Sequence, residues 1–423
     1  MQRVDQKRII KLTPYEEALE ALFEAAQVKP ISYEMVSLEK AMGRVLAEDV
    51  VSEVDVPQTN RAVVDGYALR SEDTLEASTE NPVTLKVIGK LYPWSFAADI
   101  VVSAGQAVYV TCGASIPRGA DAVVRVENTV LRDGEIEIRR AVEAGENVAS
   151  AGEDIKKGSP IFRRGELLRP QDIGVLAGIG MREVKVFRKP RVAIIATGNE
   201  LFELSRRNPT RIVDNYALIV SGLISKLGGI PIRLGIAPDD LTEIKRKIGE
   251  GIKKADIIVT IGGCSVGEKD LVPDAVNSFG KPGIIVHGIR VKPGKVTGFG
   301  LVGGKPTIML PGLIASTLAG FYLTLAPLIG LYSGLRKDNI LPVISAKINQ
   351  DLQAGNSPLY RFLPVHVKLV NGSFVAEPVP GGSSSLSRFI KSNGFVLLPP
   401  NKMLRRGEEV KVTLFSKEEF TRF

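Results

Sequence analysis

The stretch from Asp256 to Asp270, DIIVTIGGCSVGEKD, decides the fold. Its first half is a run of β-branched residues without polar alternation, which is typical of a parallel strand covered on both faces. Its second half is a glycine-rich loop that offers backbone N–H donors, the Ser265 hydroxyl and the carboxylates of Glu268 and Asp270. Ligands of open α/β sheets bind beyond the carboxyl ends of the strands, so this loop is a candidate site. The alternative is a tight turn that uses glycine only for its backbone angles.

Strand and helix patterns alternate on both sides of this stretch. RVAIIATGNEL (191–201), IPIRLGIAPDD (230–240) and PTIMLPG (306–312) are predicted strands, and LTEIKRKIGEGIKKA (241–255) is a predicted helix. The alternation predicts a doubly wound, mostly parallel α/β domain over residues 185–335. Its loops TGNE, PDD, GGCSVGEKD, KPGK and LPG are expected along one edge of the sheet, because carboxyl ends of parallel strands meet there.

The flanking segments predict three further units, giving a multi-domain α/β plus β protein. Short β patterns predict a small inserted β domain (51–146) and a C-terminal β-barrel domain (336–423). Residues 1–50 and 147–184 are assigned to a mixed N-terminal α/β domain. A long apolar helix is expected to begin at Leu313.

Local motifs in the outer segments give more detailed expectations. Thr13–Glu16 resembles a capping box that starts a helix, and a second helix is expected from Ser37 with Met42 on its apolar stripe. Asp65-Gly66 is a turn pair, and a hairpin is expected around Lys156–Gly158.

Composition limits the chemistry that this chain can perform. Of 423 residues, only Cys112 and Cys264 are cysteines and only His287 and His366 are histidines. A disulfide framework, a cysteine zinc site and histidine-driven catalysis are therefore disfavoured. The formal charge of +8 suits a small anionic ligand better than nucleic acid, because no basic run carries interleaved aromatics. No Walker sequence or G-x-G-x-x-G occurs.

The sequence also indicates where in the cell the protein is located. No run is expected to reach the ~20 apolar residues of a membrane span, and the start has no signal-peptide core. We therefore expect a cytoplasmic protein that does not bind a membrane.

Several motifs, in their order, resemble the molybdopterin molybdenumtransferase family, the molybdenum insertases that include the catalytic domain of gephyrin. The matching segments span nearly the whole chain: DGYA (65–68), GAxxPxGADAVV (113–124), GEDI (152–155), TG-x-EL (197–201), GG-x-SVGE-x-D (262–270), KPGK (292–295) and LPG (310–312). The resemblance implies insertion of molybdate, or tungstate, into adenylylated molybdopterin with Mg²⁺-dependent release of AMP. It also implies a homodimer, built through the N-terminal domain, and contacts with molybdopterin adenylyltransferase and with the molybdo- or tungstoenzymes that accept the cofactor.

The resemblance assigns roles to residues of this chain. The implied catalytic acids are Asp65, Asp154, Glu200, Asp239 and Asp270, of which Glu200, Asp239 and Asp270 are the expected Mg²⁺ ligands. The implied oxyanion ligands are Lys292, Lys295, Ser316, Arg361 and Ser383. The implied pterin and AMP contacts are Gly198, Asp214, Asn215, Gly262, Gly263, Ser265 and Gly312.

Other interpretations stay open at this point. The lysines of KPGK could be solvated, Arg361 could pair with an acid, and Asp214 and Asn215 could cap the following helix. A non-catalytic molybdopterin-binding or scaffold relative and a molybdopterin adenylyltransferase are the alternative functions.

The sequence also departs from the family pattern. Asn199 replaces an aspartate, Val296 replaces a proline, and Leu313-Ile314 replaces Asn-Pro. Cys112 replaces a threonine beside the Gly-Ala motif, and Ala62 replaces a serine near DGYA.

Overall fold

The computed structural model describes residues 11–95, 99–204, 210–353, 357–416 and 418–419. At its centre is a six-stranded sheet whose strand order is Ile230–Ala237, Arg191–Thr197, Ile257–Ile261, Lys305–Leu310, Gly298–Val302 and Gly283–His287. The first four strands are parallel, and the last two are antiparallel to their neighbours. The doubly wound, mostly parallel class is therefore confirmed. Strand Gly298–Val302, which hairpins with the next strand through Gly303 and Gly304, was missed.

Alternate side chains of the central strands enter two separate cores. Ile194 and Val259 face one core, which is covered by helices Tyr15–Ala25, Tyr216–Lys226 and the long helix Ile314–Tyr332. Their neighbours Ile195 and Ile258 face the other, covered by helices Leu241–Lys254 and Val272–Asn277. Burial on both faces explains why the strand at 257–261 carries no polar alternation.

The long helix consists of Ile314–Gly320, a π-helical turn Phe321–Leu325 and Ala326–Tyr332. With 19 residues and a mean hydropathy of 1.7 it is as long and apolar as a single membrane span, so the expectation that no such run exists is wrong. The helix packs in the core of the α/β domain, where 83% of its apolar window is buried.

The C-terminal unit is a closed barrel. Its strands follow the order Tyr360–Val370, Ser373–Pro378, Val343–Ile348, Glu409–Leu414 and Gly394–Leu398, and the last strand pairs back onto the first. A short strand of the α/β domain, Val291–Lys292, pairs in parallel with the first two residues of Tyr360–Val370. Shorter elements of this unit are Lys337–Asn339, Leu352–Gln353, Ser387–Ile390 and Met403–Leu404.

The inserted unit is a six-stranded sheet of its own. Its strands follow the order Ala122–Arg125, Gly66–Leu69, Gln106–Val110, Val83–Leu91, Glu135–Ile138 and Thr129–Arg132. Short 3-10 turns lie at Ser71–Thr74 and Val126–Asn128. Gly66 was interpreted as part of a turn, but it begins an interior strand that pairs on both sides, with Val110 and with Arg125. Glycine is needed there because a Cβ would meet the Val124 carbonyl oxygen at 2.0 Å.

The N-terminal unit joins distant segments through short strands. Tyr33–Ser37 pairs with Glu183–Phe187, and Val50–Val51 pairs with Pro160–Phe162. Helices Leu38–Ala41 and Pro170–Gly178 cover these strands, and Arg61–Ala62 pairs with Val148–Ala149 beside them. The predicted domain limits at residues 51 and 147 stay a prediction. Strand Val50–Val51 lies on the first limit, and the pairing of Arg61–Ala62 with Val148–Ala149 joins residues from the two sides of the second.

Three local predictions here are wrong. No side chain caps helix Tyr15–Ala25, because Thr13 instead forms a β-bridge with Ile289. The second helix ends at Ala41, so Met42 is exposed. The turn at 156–158 does not join a hairpin, because the residues on each side of it pair with 50–56 instead of with each other.

Candidate functional site: two adjoining clefts of opposite charge

A cleft of about 930 Å³ lies at the carboxyl ends of the parallel strands. We call it the acid cleft, because five carboxylates and one lysine line it: Glu200, Asp214, Asp239, Glu268, Asp270 and Lys269. Strands Arg191–Thr197 and Ile257–Ile261 are adjacent here, and the chain leaves them for opposite faces of the sheet. Such a switch point is where open α/β sheets hold their ligands.

The strand tips pack so tightly that glycine is required beside them. Gly262 has a φ of +94°, and a Cβ there would lie 2.8 Å from the Thr197 carbonyl oxygen. A Cβ at Gly263 would lie 2.9 Å from Thr197 Oγ1, and one at Gly312 would lie 3.4 Å from the Gly262 Cα. The acid cleft therefore has a floor of bare backbone that a flat ring or a phosphate can approach closely.

The three predicted Mg²⁺ ligands all line the acid cleft, and each is held differently. The backbone N–H of Asn199 donates to Asp239 Oδ2 at 3.3 Å, and that of Gly267 donates to Asp270 Oδ2 at 2.7 Å. In the described part of the chain the Glu200 carboxylate accepts no hydrogen bond, and it folds back toward the Gly198 backbone.

Asp214 and Asn215 also line the acid cleft, at the start of helix Tyr216–Lys226. Asp214 Oδ1 accepts from the backbone N–H of Ala217 at 3.1 Å, so the capping interpretation holds for Asp214. Burial raises the pKa of the Asp214 carboxyl above its usual value, although the Ala217 hydrogen bond opposes the shift. Ser265 lines the same wall.

Across the described ranges, no three His, Cys, Asp or Glu side chains form a cluster that could hold a metal ion by themselves. The donors present nevertheless fit Mg²⁺, which takes one or two carboxylates and completes its shell with phosphate oxygens and water. Asp239 and Asp270 each use one carboxylate oxygen in a backbone hydrogen bond and keep the other.

A second cleft, of about 1060 Å³, lies between the α/β domain and the barrel. We call it the cationic cleft, because its charged lining residues are all basic: Lys292, Lys295, Arg361 and Arg388. None of these four forms an ion pair within the described residues, so the alternative of an acid partner for Arg361 does not hold there. The guanidinium of Arg361 donates to the Gln353 carbonyl oxygen at 2.9 Å.

The pairing of strands brings two of these cations together. Lys292 and Arg361 are register partners in neighbouring parallel strands. Like charges placed side by side in a sheet are destabilising, and a bound anion would offset the repulsion.

The two clefts adjoin. Val296 and Ser316 line both, and neighbouring serines divide between them, with Ser383 in the cationic cleft and Ser384 in the acid cleft. The Ser383 carbonyl oxygen accepts from the backbone N–H of Ala315 at 3.0 Å, which fixes the serine-rich loop GGSSS (381–385) to the start of the long helix.

Two of the predicted catalytic acids lie elsewhere. Asp65 and Asp154 line neither cleft. Asp65 accepts from the backbone N–H of Cys112 at 2.7 Å in the inserted unit, and the Asp154 backbone bonds to Val56.

Sequence reasoning missed Arg388 altogether. The sequence carries no signal for it, because Arg388 comes to line the cleft only once the barrel is folded.

Three family models match in order along the chain. The MoeA N-terminal region (domain I and II) matches residues 13–180, the probable molybdopterin binding domain matches 193–330, and the MoeA C-terminal region (domain IV) matches 354–415.

Relatives match over nearly their whole length. A molybdopterin molybdenumtransferase of Staphylococcus aureus is 32% identical over 95% of both chains, and one of Bacillus subtilis is 33% identical over 91% of this chain and 90% of its own. A putative molybdopterin biosynthesis protein of Methanocaldococcus jannaschii is 31% identical over 95% of both.

Solved structures agree with the fold. A molybdopterin biosynthesis MoeA protein from Pyrococcus horikoshii is 37% identical with a TM-score of 0.82, covering 96% of this chain and 100% of its own. A second structure from that organism is 34% identical, with a TM-score of 0.79 and the same coverage. Fold and matches together define a protein of the molybdopterin biosynthesis class. The chain belongs to the molybdopterin molybdenumtransferase (MoeA) family, as its motifs predicted.

Proposed function

We propose that this transferase of molybdenum cofactor biosynthesis inserts molybdate, or tungstate, into adenylylated molybdopterin and releases AMP with Mg²⁺. The observation that carries the proposal is the contact between a cationic cleft and an acid cleft at Val296 and Ser316. Insertion requires a tetrahedral dianion and a phosphorylated pterin to meet, and two adjoining clefts of opposite charge suit that pair of substrates.

The cationic cleft suits the oxyanion. Lys292, Lys295 and Arg361 supply positive charge without competing carboxylates, and the hydroxyls of Ser316 and Ser383 supply neutral donors. Charge-assisted hydrogen bonds of this kind are short and strong. Molybdate and tungstate have the same charge and shape, so this lining serves either.

The acid cleft suits the pterin and the nucleotide. Its glycine floor lets the substrate approach the backbone at Gly198, Gly262, Gly263 and Gly312, and Asp214, Asn215 and Ser265 offer polar groups along the wall.

Five carboxylates are poorly matched to phosphates unless a cation lies between them. Glu200, Asp239 and Asp270 would hold Mg²⁺, which neutralises phosphoanhydride charge when it is bound. Within this chain the Asn199 and Gly267 amides keep two of these carboxylates turned into position.

We further propose a homodimer in which Asp65 and Asp154 act at the site of a second copy. Both acids lie outside the two clefts of their own chain, which supports such an arrangement. We also propose a cytoplasmic location and contacts with molybdopterin adenylyltransferase and the acceptor molybdo- or tungstoenzymes, where the cofactor is made and used.

Neither alternative function is favoured. The matches extend from residue 13 to residue 415, well beyond the α/β domain that an adenylyltransferase would need. Three of the five acids expected of a catalyst and both lysines of KPGK line the clefts.

The test is a single-turnover reaction of the purified full chain with adenylylated molybdopterin. We expect AMP release that requires both Mg²⁺ and an oxyanion, together with incorporation of molybdenum or tungsten into the pterin. Controls omit the oxyanion or add a chelator. Binding of the adenylylated pterin with no AMP released under any condition would overturn the catalytic proposal and support a holding role.

A further inference from the structure

The cationic cleft contains one arginine that differs from its other cations. Arg388 is only 9% exposed and lies on the short helix Ser387–Ile390, directly after the serine-rich loop. Its Nε donates to the Val379 carbonyl oxygen at 2.6 Å and its Nη1 donates to the Gly381 carbonyl oxygen at 3.3 Å. Both acceptors are neutral, and the remaining guanidinium donors belong to a residue that lines the cleft.

The charge of Arg388 is unbalanced within the protein. A buried guanidinium is normally paired with a carboxylate, because desolvating a lone charge is costly. Arg388 has no such partner in the described ranges, and the charge that acts on it is the positive charge of Arg361. Burial and Arg361 together lower the Arg388 pKa from its ordinary value. The cleft is thus short of negative charge.

Arg388 also connects the cleft to the loop that separates the two sites. A Cβ at Gly381 would lie 3.1 Å from Arg388 Cδ, so the side-chain stem packs directly on the Gly381 backbone. Two residues further on, Ser383 bonds through its carbonyl oxygen to Ala315 at the start of the long helix. The guanidinium therefore holds the loop that presents Ser383 and Ser384 to the two clefts.

We propose that Arg388 is a positioning and selectivity residue of the cationic cleft, which makes the cleft prefer a doubly charged tetrahedral anion over a singly charged one of the same shape. The inference rests on the proposed function, since it concerns the same oxyanion. Lys292, Lys295 and Arg361 are exposed to water, whereas Arg388 is buried, so the charge of Arg388 is less screened. Its attraction for the second negative charge of the anion is correspondingly larger.

The experiment compares tungstate, a tetrahedral dianion, with perrhenate, a tetrahedral monoanion of closely similar size. Each is titrated by calorimetry into the full chain, its Arg388→Gln and Arg388→Lys variants, and Arg405→Gln as a matched control. Arg405 is an exposed arginine of the same barrel that lines neither cleft. Thermal melting of every variant reports on its folding.

In the unmodified chain we expect tungstate to bind at least about tenfold more tightly than perrhenate. Arg388→Gln should lower tungstate affinity about tenfold and perrhenate affinity much less, Arg388→Lys should keep most of the preference, and Arg405→Gln should change neither. An equal loss for both anions would overturn the selectivity role, because a merely structural arginine would act that way. If Arg388→Gln fails to fold, the other proteins still test the selectivity role. Equal affinities for tungstate and perrhenate, in the unmodified chain or in Arg388→Lys, would overturn it.

Failure of the proposed function would look different. If the unmodified chain and its Lys295→Ala variant bind tungstate equally weakly, the cationic cleft is not the oxyanion site. If Lys295→Ala loses tungstate while Arg388→Gln keeps both affinity and preference, only the inference about Arg388 falls.

Discussion

Asn199 and Asp239 exchange two hydrogen bonds across the tips of neighbouring parallel strands. The backbone N–H of Asn199 donates to Asp239 Oδ2 at 3.3 Å, and the backbone N–H of Asp239 donates to Asn199 Oδ1 at 3.1 Å. The two bonds fix one acid of the proposed Mg²⁺ site to the loop that carries Glu200. The departure from the family pattern at Asn199 therefore keeps the acceptor and removes one negative charge from the loop beside the acid cleft.

Asn199→Ala should lower the free energy of unfolding by about 1 kcal/mol, because it leaves the Asp239 N–H without its acceptor. Asn199→Asp should keep the bond, since a carboxylate accepts as an amide oxygen does. Urea unfolding of both variants measures the difference. Equal stability of Asn199→Ala and the unmodified chain would show that the exchanged bonds contribute little.

Lys295→Ala should weaken molybdate binding roughly tenfold or more, because it removes a charge-assisted donor from the cationic cleft. The matched control is Lys347→Ala, which removes an exposed lysine from a barrel strand outside both clefts. Calorimetric titration with molybdate measures both. An unchanged dissociation constant for Lys295→Ala would remove this lysine from the site.

Asp270→Asn should abolish Mg²⁺-dependent AMP release while the loop keeps its shape. The amide oxygen of asparagine can still accept from the Gly267 N–H, so the substitution removes the charge and spares the turn. Single-turnover AMP release measures the loss of charge, and urea unfolding measures the stability of the turn. Asp270→Ala should lose AMP release and also destabilise the turn. Retained turnover in Asp270→Asn would count against a metal-binding role.

Gly262→Ala should destabilise the fold by more than about 2 kcal/mol, because a left-handed backbone angle is combined with a collision against the Thr197 carbonyl oxygen. Gly304→Ala is the control. Gly304 also has a positive φ, of +74°, but a Cβ there meets open space, so only the backbone penalty of about 1 kcal/mol applies. Similar losses in urea unfolding would show that the strand tips tolerate a methyl group.

The buried Asp214 carboxyl makes stability depend on pH. Its pKa is raised in the folded state, so the folded chain binds more protons than the unfolded chain as pH rises from about 3.8 through the raised pKa. Stability from this group is full below that range and is lost as pH rises through it. Asp214→Asn keeps an acceptor for the Ala217 N–H, so its stability relative to the unmodified chain should improve between pH 3.5 and pH 6.5. Urea unfolding at both pH values checks this; a pH-independent difference would contradict it.

Much of the fold could be predicted because its signals are local. A fully buried strand shows as a β-branched run and an amphipathic helix shows as an apolar stripe. The strand at 257–261 and the helix at 241–254 both form where these patterns predicted them. Strand Gly298–Val302 escaped because its sequence, GFGLV, has two glycines and no period-two pattern. It becomes a strand only through the edges that its neighbours offer.

The wrong local predictions share a physical cause. The turn at 156–158 looks like a hairpin turn, but the partners of its flanks are about a hundred residues away, around 50–56. Likewise Thr13 is drawn from its capping position by a bridge to Ile289. Arg388 was overlooked for a related reason, since the absence of a neighbouring acid is a property of the folded barrel and has no sequence signature.

The short strand Val291–Lys292 belongs to the α/β domain by sequence and adds to the barrel by pairing with Tyr360–Arg361. Half of the basic lining therefore comes from each of the two domains. If the proposed function holds, a fragment that ends before the barrel should keep the glycine floor of the acid cleft but bind metal oxyanions much more weakly. On that proposal, oxyanion affinity also reports on the docking of the two domains, and a truncation or interface substitution that separates them should lower the affinity for molybdate or tungstate.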